Sequence, residues 1–190
     1  MKKIWIIGGV IALVIVLWGV SSYNSMITAK RGIDGAWGQV QVVLQRRLDL
    51  VQQQMGSLKG EMNFEKSTLL AIVEARSGLT SAAASGNKDA QIAAAQKADT
   101  VMTQFRVQVE QYPQLGSNAA FLAFNADIAG NENRIAVERK RYNDAVTDYN
   151  IQIVQFPRMI LARLFGFMPE KQFGADVAAQ KAPVIDFNQK

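Results

Sequence analysis

The sequence predicts an all-α protein, with an N-terminal transmembrane helix followed by an up-and-down four-helix bundle of long helices. Three observations carry this expectation. Residues Ile4 to Val20 form one unbroken apolar run, IWIIGGVIALVIVLWGV. Behind it, apolar residues recur at steps of three and four over many helical turns. Only 4 prolines interrupt the chain, and Ala and Gln are common in its middle, which favours helix over a sandwich or barrel.

The apolar run carries no charge and reaches the lower limit for a spanning helix. Uncharged Ser21, Ser22, Tyr23 and Asn24 can extend it. Ile4, Trp5, Val10, Leu13, Trp18 and Tyr23 are the expected anchor residues. Trp5 stands near one end and Trp18 and Tyr23 near the other, as in an aromatic belt. A cleaved signal peptide is the rival reading, with Lys2 and Lys3 as its basic region and Val20-Ser21-Ser22 as a weak cleavage site. The run exceeds a usual signal-peptide core and no clear Ala-x-Ala follows, so a retained anchor is expected. Lys2, Lys3 and the α-amino group on one side, against Lys30 and Arg31 on the other, lean towards a domain outside the cytoplasm.

The first stripe runs through Ile33, Trp37, Val40, Leu44, Leu48, Val51, Met55, Leu58 and Met62. Continued in register it meets Glu65, Leu69, Ile72, Arg76 and Leu79. Gly56, Gly60 and Asn63 can break this segment, whereas the register favours one long or kinked helix. Both readings stand at this point. Ser85-Gly86-Asn87 is a turn signal, after which Asp89 is expected to cap a helix with the stripe Ala94, Ala98, Val101, Phe105, Val109 and Tyr112. Pro113 and Gly116 end it, and Ser117 or Asn118 caps the next. That last long helix has the cleanest repeat: Ile128, Glu132, Ile135, Arg139, Tyr142, Val146, Tyr149, Ile153 and Phe156, followed by Pro157. Tyr142-Asn143 and Tyr149-Asn150 recur one heptad apart.

Four charged residues therefore fall on apolar stripes: Glu65, Arg76, Glu132 and Arg139. Buried charges need partners, and removing one member of a buried pair costs about 3–5 kcal/mol. The expected solution is an interior polar network of cross-helix ion pairs. A polar ligand site and a catalytic carboxylate pair are the two alternatives weighed, the last disfavoured because a tight bundle offers no cleft.

Composition narrows the chemistry further. The chain has no His and no Cys. It therefore cannot build a Ser-His-Asp or Cys-His centre, a His-ligated zinc site or a Glu-x-x-His di-iron site on its own. No catalytic residue, cofactor or metal ligand is assigned. The net charge is +5, with basic residues dispersed apart from Arg139-Lys140-Arg141. No basic and aromatic stripe points to nucleic acid.

Two further segments are singled out. Ala29, Gly32, Gly35 and Ala36 form a small-residue patch suited to close helix–helix approach between subunits, against a bland reading of local flexibility. Ile160, Leu161, Leu164, Phe165 and Phe167 lie in an apolar segment too short to span a bilayer. It either covers the end of the bundle or makes an interfacial membrane contact beside Arg158 and Arg163.

Several short motifs then fall in a telling order: Tyr23-Asn24, Trp37, Arg47-Leu48-Asp49-Leu50, Lys59-Gly60, Glu65, Ala75-Arg76, and Glu110-Gln111-Tyr112-Pro113-Gln114-Leu115. Glu132-Asn133-Arg134-Ile135, Arg139-x-x-Tyr142-Asn143, Tyr149-Asn150, Phe156-Pro157 and Gly166-Phe167 follow. Together they resemble the LemA family of bacterial membrane-associated proteins, from the anchor to about Phe173. The family's usual Ile-Pro-Asn-Leu after Asp49-Leu50 is replaced by Val51-Gln52-Gln53-Gln54-Met55, and its usual His before the Glu is Phe64. The resemblance implies a four-helix domain behind a single anchor and no established catalytic activity. Family members are often encoded near a heat-shock membrane metalloprotease, which implies a place in envelope maintenance.

The expected organisation is an anchor over residues 1–24, a helical domain over 25–173 and a flexible polar tail over 174–190. The expected function is a non-enzymatic single-pass scaffold or interaction protein of the bacterial inner membrane, homo-oligomeric. Its expected partners are the lipid bilayer, further copies of itself and other membrane proteins. A membrane-tethered sensor or ligand-binding bundle is the alternative.

Overall fold

The computed structural model describes residues 2–58, 66–112 and 118–174. Among them every regular element is a helix: α1 (Lys2–Leu58), α2 (Lys66–Ser85), α3 (Lys88–Glu110), α4 (Ala119–Val154) and the short α5 (Arg158–Leu164). The predicted features at Met55, Leu58, Met62, Glu65 and Leu69 lie outside the described residues or side chains. So do Pro113, Gly116, Ser117 and the tail from residue 175.

The chain forms two compact units, Met1–Val40 with Val137–Gln172 and Gln41–Ala136 with Phe173–Lys190. Helices α1 and α4 each contribute to both.

The second unit is a four-helix arrangement. The first stripe supplies Leu44, Leu48 and Val51 from α1, all fully buried. Helix α2 adds Ile72, Ala75 and Leu79, α3 adds Ala95, Ala98, Val101, Met102 and Phe105, and α4 adds Phe121, Phe124, Ile128 and Ile135. Ion pairs and ring contacts link the four. Arg76 Nε on α2 lies 2.8 Å from Asp49 Oδ1 on α1. The Phe105 and Phe124 rings of α3 and α4 meet edge to face at 6.1 Å. A single straight helix would hold Asp49 and Arg76 roughly 40 Å apart at 1.5 Å per residue. Their contact shows that the chain reverses between them, so α1 and α2 are separate helices rather than one.

The α2–α3 turn corrects one expectation. Asn87, not Asp89, is the N-cap of α3, and its side chain accepts a bond from the Ala90 N–H. Asp89 sits in the first turn, where its charge complements the helix dipole. Gly86 turns the chain with φ of +66°, a conformation that costs other L-residues about 1–2 kcal/mol. At the start of α4, Asn118 Oδ1 accepts from the N–H groups of Ala120 and Phe121, as a cap should.

The first unit pairs the N-terminal part of α1 with the C-terminal part of α4. They run antiparallel. As α1 advances from Ser25 to Trp37, its partners on α4 fall back from Gln152 to Tyr142. Met26, Ile33, Trp37 and Val40 pack with Tyr142, Val146, Tyr149 and Ile153 in its core. The apolar run preceding them is different. Ile4, Trp5, Val10 and Leu13 are exposed along with nearly all of their neighbours. Among the described residues α1 alone is long and apolar enough to be a candidate membrane span.

Candidate functional site

The interior charge centre of the second unit is built on Arg47. Its side chain is only 3% exposed. On α1 it follows Leu44 by three residues and precedes Val51 by four, so helical geometry turns it inward beside the apolar stripe. Arg47 Nη2 donates to Asp99 Oδ1 on α3 at 2.7 Å, and Nη1 donates to Glu132 Oε1 on α4 at 3.2 Å. Arg106 Nη2 approaches the same Glu132 oxygen at 3.0 Å from α3. Two guanidinium groups thus meet two carboxylates, and formal charge cancels within the cluster. Such pairing is how a low-dielectric interior tolerates charge.

Glu132 joins the Arg47 cluster. Arg76 stands apart from it, paired with Asp49 and donating from Nη1 to Gln52 Oε1 at 3.1 Å. Arg139 is half-buried in the first unit, and Glu65 lies outside the described residues. In the basic run beside Arg139, Lys140 pairs with Asp144 at 2.6 Å and Arg141 with Glu138 at 2.8 Å.

A second polar feature lies between α1 and α4. Arg46, Leu50, Ala126, Asp127, Gly130, Asn131 and Arg134 line a cavity of about 150 Å³. The Asn131 side chain is buried, and neither polar atom of its amide has a hydrogen-bond partner among the described residues. The spacing of charged residues did not point to Asn131, because an uncharged amide beside an apolar stripe resembles an ordinary boundary residue.

In the first unit the Tyr-Asn heptad repeat acquires a role that its spacing alone left open. Tyr142 and Tyr149 are fully buried. Their hydroxyls donate to the backbone carbonyls of Lys171 at 2.7 Å and Met168 at 3.0 Å. Asn150 donates from Nδ2 to the Glu170 carbonyl and accepts from the Glu170 N–H, both at 2.9 Å. Gln172 Nε2 adds a bond to Thr147 Oγ1 at 2.7 Å. The segment after α5 is therefore latched along α4 through its own backbone. Burial, reinforced by the nearby Glu170 carboxylate, pushes the Tyr149 hydroxyl above its ordinary pKa of 10.0 and keeps it protonated as a donor. Glu170 also pairs with Lys30 of α1 at 3.4 Å.

The latch positions α5. Tyr23 of α1 packs edge to face on Phe165 at 4.8 Å and on Phe167 at 5.8 Å. Ala162 is buried, while Ile160, Leu164 and Phe165 are exposed. The patch of Ala29, Gly32, Gly35 and Ala36 lies on α1 in the same unit, and a Cβ added at Gly32 or Gly35 would meet nothing within 4 Å.

These features define an all-α protein with one apolar N-terminal helix and a helical bundle in which the buried Arg47 is paired with Asp99 and Glu132. The chain belongs to the LemA family, whose family model matches residues 36–187. It is 29% identical over 133 residues to Protein LemA of Metamycoplasma hominis, covering 70% of this chain and 60% of that protein. It is 35% identical over 77 residues to Magnetosome proteins MamQ 1 and MamQ 2 of Paramagnetospirillum magneticum. Those matches cover 40% of this chain and 28% of each relative. The chain thus spans less than two thirds of the length of these relatives.

Proposed function

We propose that the protein is a non-enzymatic, single-pass membrane scaffold or interaction protein of the bacterial inner membrane, homo-oligomeric and serving envelope maintenance. The observation that carries this reading is α1. It runs as one helix from an exposed apolar segment into the helical cores of both units. Exposed Ile, Val, Leu and Trp side chains over so many turns match the lipid face of a spanning helix. The Arg47 cluster is charge-balanced and partnered on α3 and α4, which suits a structural lock better than a reaction centre. No catalytic activity is established for the LemA family.

Oligomerisation is assigned to the small-residue face at Ala29, Gly32, Gly35 and Ala36. Among the described residues, a Cβ added at Gly32 or Gly35 meets nothing within 4 Å, so Gly32→Leu and Gly35→Leu enter open space at their Cβ positions. The test is the mass of the full chain in mild detergent and in lipid nanodiscs. An oligomer that dissociates in the double Leu variant supports the reading. A strictly monomeric parent protein overturns it.

A second reading, a membrane-tethered sensor or ligand-binding bundle, is favoured by the Asn131 cavity. Arg46, Arg134 and an unpartnered amide there, set against the single carboxylate of Asp127, leave the lining with a net positive charge that suits a small anion. Calorimetric titration with inorganic phosphate tests it. Binding lost in Arg134→Met would support this reading, and no heat in the parent protein would remove it.

A further inference from the structure

We infer that α5 and its flanks form a second membrane contact, docking on the acyl chains of the bilayer leaflet that the anchor leaves. The inference rests on the proposed membrane anchoring and adds to it a surface that one spanning helix does not require. Its basis is the juxtaposition of two exposed apolar surfaces in the first unit.

The first surface is the end of the apolar run. From Ile4 to Val20 the helix rises about 25 Å, and about 30 Å when extended to Tyr23, which matches the hydrocarbon thickness of a bilayer. The second surface is α5. Phe156 is 78% exposed, Leu164 74% and Met168 72%, with Ile160 and Phe165 also exposed. Large apolar side chains gathered on a short segment mark an interaction surface rather than ordinary scatter.

The two surfaces are continuous. Leu161 and Phe165 line a groove with Val16, Gly19, Val20 and Tyr23, whose volume is about 300 Å³. Its lining comes from the last turns of the apolar run. If Ile4–Tyr23 spans, the groove lies at the depth where acyl chains give way to head groups. The Tyr23–Phe165–Phe167 aromatic cluster then sits where aromatic side chains favour the membrane interface. Arg163 lies in the last turn of α5, where its aliphatic stem can follow the apolar surface while its guanidinium reaches lipid phosphates. The latch through Tyr142, Tyr149 and Asn150 fixes the segment after α5 from behind. The apolar face therefore does not depend on lipid to hold its position.

The occupant is lipid because this face continues the anchor's own lipid-facing surface. A bundle cap would require the same side chains to be covered by the chain itself, and they are exposed.

The chain has no native Cys, so single Cys residues can carry a bimane fluorophore in the full-length protein. We would place one at Leu164, one at Leu13 in the run and one at Thr80 on α2, and reconstitute each into phosphatidylcholine–phosphatidylglycerol vesicles. Quenching is read from lipids carrying nitroxide near the head group or deep in the acyl chain. The expected result is several-fold stronger quenching at Leu164 than at Thr80, greatest with the shallow nitroxide, while Leu13 is quenched by the deep one. Quenching at Leu13 with Leu164 no different from Thr80 overturns the α5 contact and leaves the anchor standing. No quenching at Leu13 overturns the anchor reading and this inference with it. Self-quenching at Leu164 that disappears on dilution with unlabelled protein, without lipid quenching, assigns the face to a second copy and also overturns the inference.

Discussion

Arg47 and Asp99 meet at 2.7 Å between α1 and α3, with the arginine side chain almost wholly withdrawn from water. Asp99 is the closer of its two acidic partners, the other being Glu132 at 3.2 Å. Removing the nearer carboxylate leaves a buried guanidinium with one remaining partner, which Arg106 shares. Asp99→Ala is therefore expected to cost about 3 kcal/mol, at the lower end for breaking a buried pair. Glu132→Ala should cost less, about 1–2 kcal/mol, because Asp99 still holds Arg47 and the Glu132 side chain is 31% exposed. Arg47→Met combined with Asp99→Leu should recover much of the loss, as apolar replacements of buried pairs often do. Thermal melts of the full chain in detergent check the order, and a larger loss for Glu132→Ala would contradict it.

The apolar registers were legible from sequence because burial follows the 3.6-residue period directly. Ile33, Trp37, Val40, Leu44, Leu48 and Val51 all lie in the core. The interior charges were less legible. At 3.6 residues per turn, a stripe counted in strict heptads drifts about 20° each repeat. Ala75 and Asn131 consequently take buried positions beside Arg76 and Glu132, which lie towards the edge. Arg47 stands in the Arg47-Leu48-Asp49-Leu50 motif, but its interior pairing is not legible there for a different reason. Its partners come from α3 and α4, and no local spacing encodes which helices will meet. The Tyr-Asn repeat was visible as a pattern, but its partners are backbone groups about twenty or more residues away.

The latch makes a pH prediction at Tyr149. Its hydroxyl must stay protonated to donate to the Met168 carbonyl. The folded pKa is raised above 10.0 by burial and by Glu170, so the neutral form is favoured in the fold. The stabilisation is complete below the unfolded value and is lost as pH rises through the folded one. Tyr149→Phe should therefore lower stability by about 1–2 kcal/mol at neutral pH. The gap between the two proteins should close above pH 10, where the unfolded tyrosine ionises while the native one is still held neutral. Melts at a series of pH values check this. A gap that widens under alkali would refute the assignment.

The α2–α3 turn is testable without touching the core. Gly86 has φ of +66° and open space where a Cβ would stand, so Gly86→Ala isolates backbone strain at about 1 kcal/mol. Asn87→Ala removes the cap on the Ala90 N–H, again for about 1 kcal/mol. Asp89→Ala should cost less, because Asp89 contributes to the helix dipole in the first turn and is not the N-cap. Guanidinium melts of the three variants distinguish Asn87 from Asp89 as the residue that starts α3.

The same turn can report which side of the membrane the bundle occupies. Ser85 is exposed at the end of α2, its hydroxyl donating to the Ala82 carbonyl at 2.7 Å and accepting from the Asn87 N–H at 3.2 Å. With no native Cys, Ser85→Cys provides a single thiol far in sequence from the apolar run. Lys2, Lys3 and the α-amino group slightly outweigh Lys30 and Arg31 as determinants of the cytoplasmic side. A membrane-impermeant maleimide should therefore label this thiol in intact cells as fully as in lysed ones. Labelling confined to lysed cells would reverse the topology and place the bundle's partners in the cytoplasm.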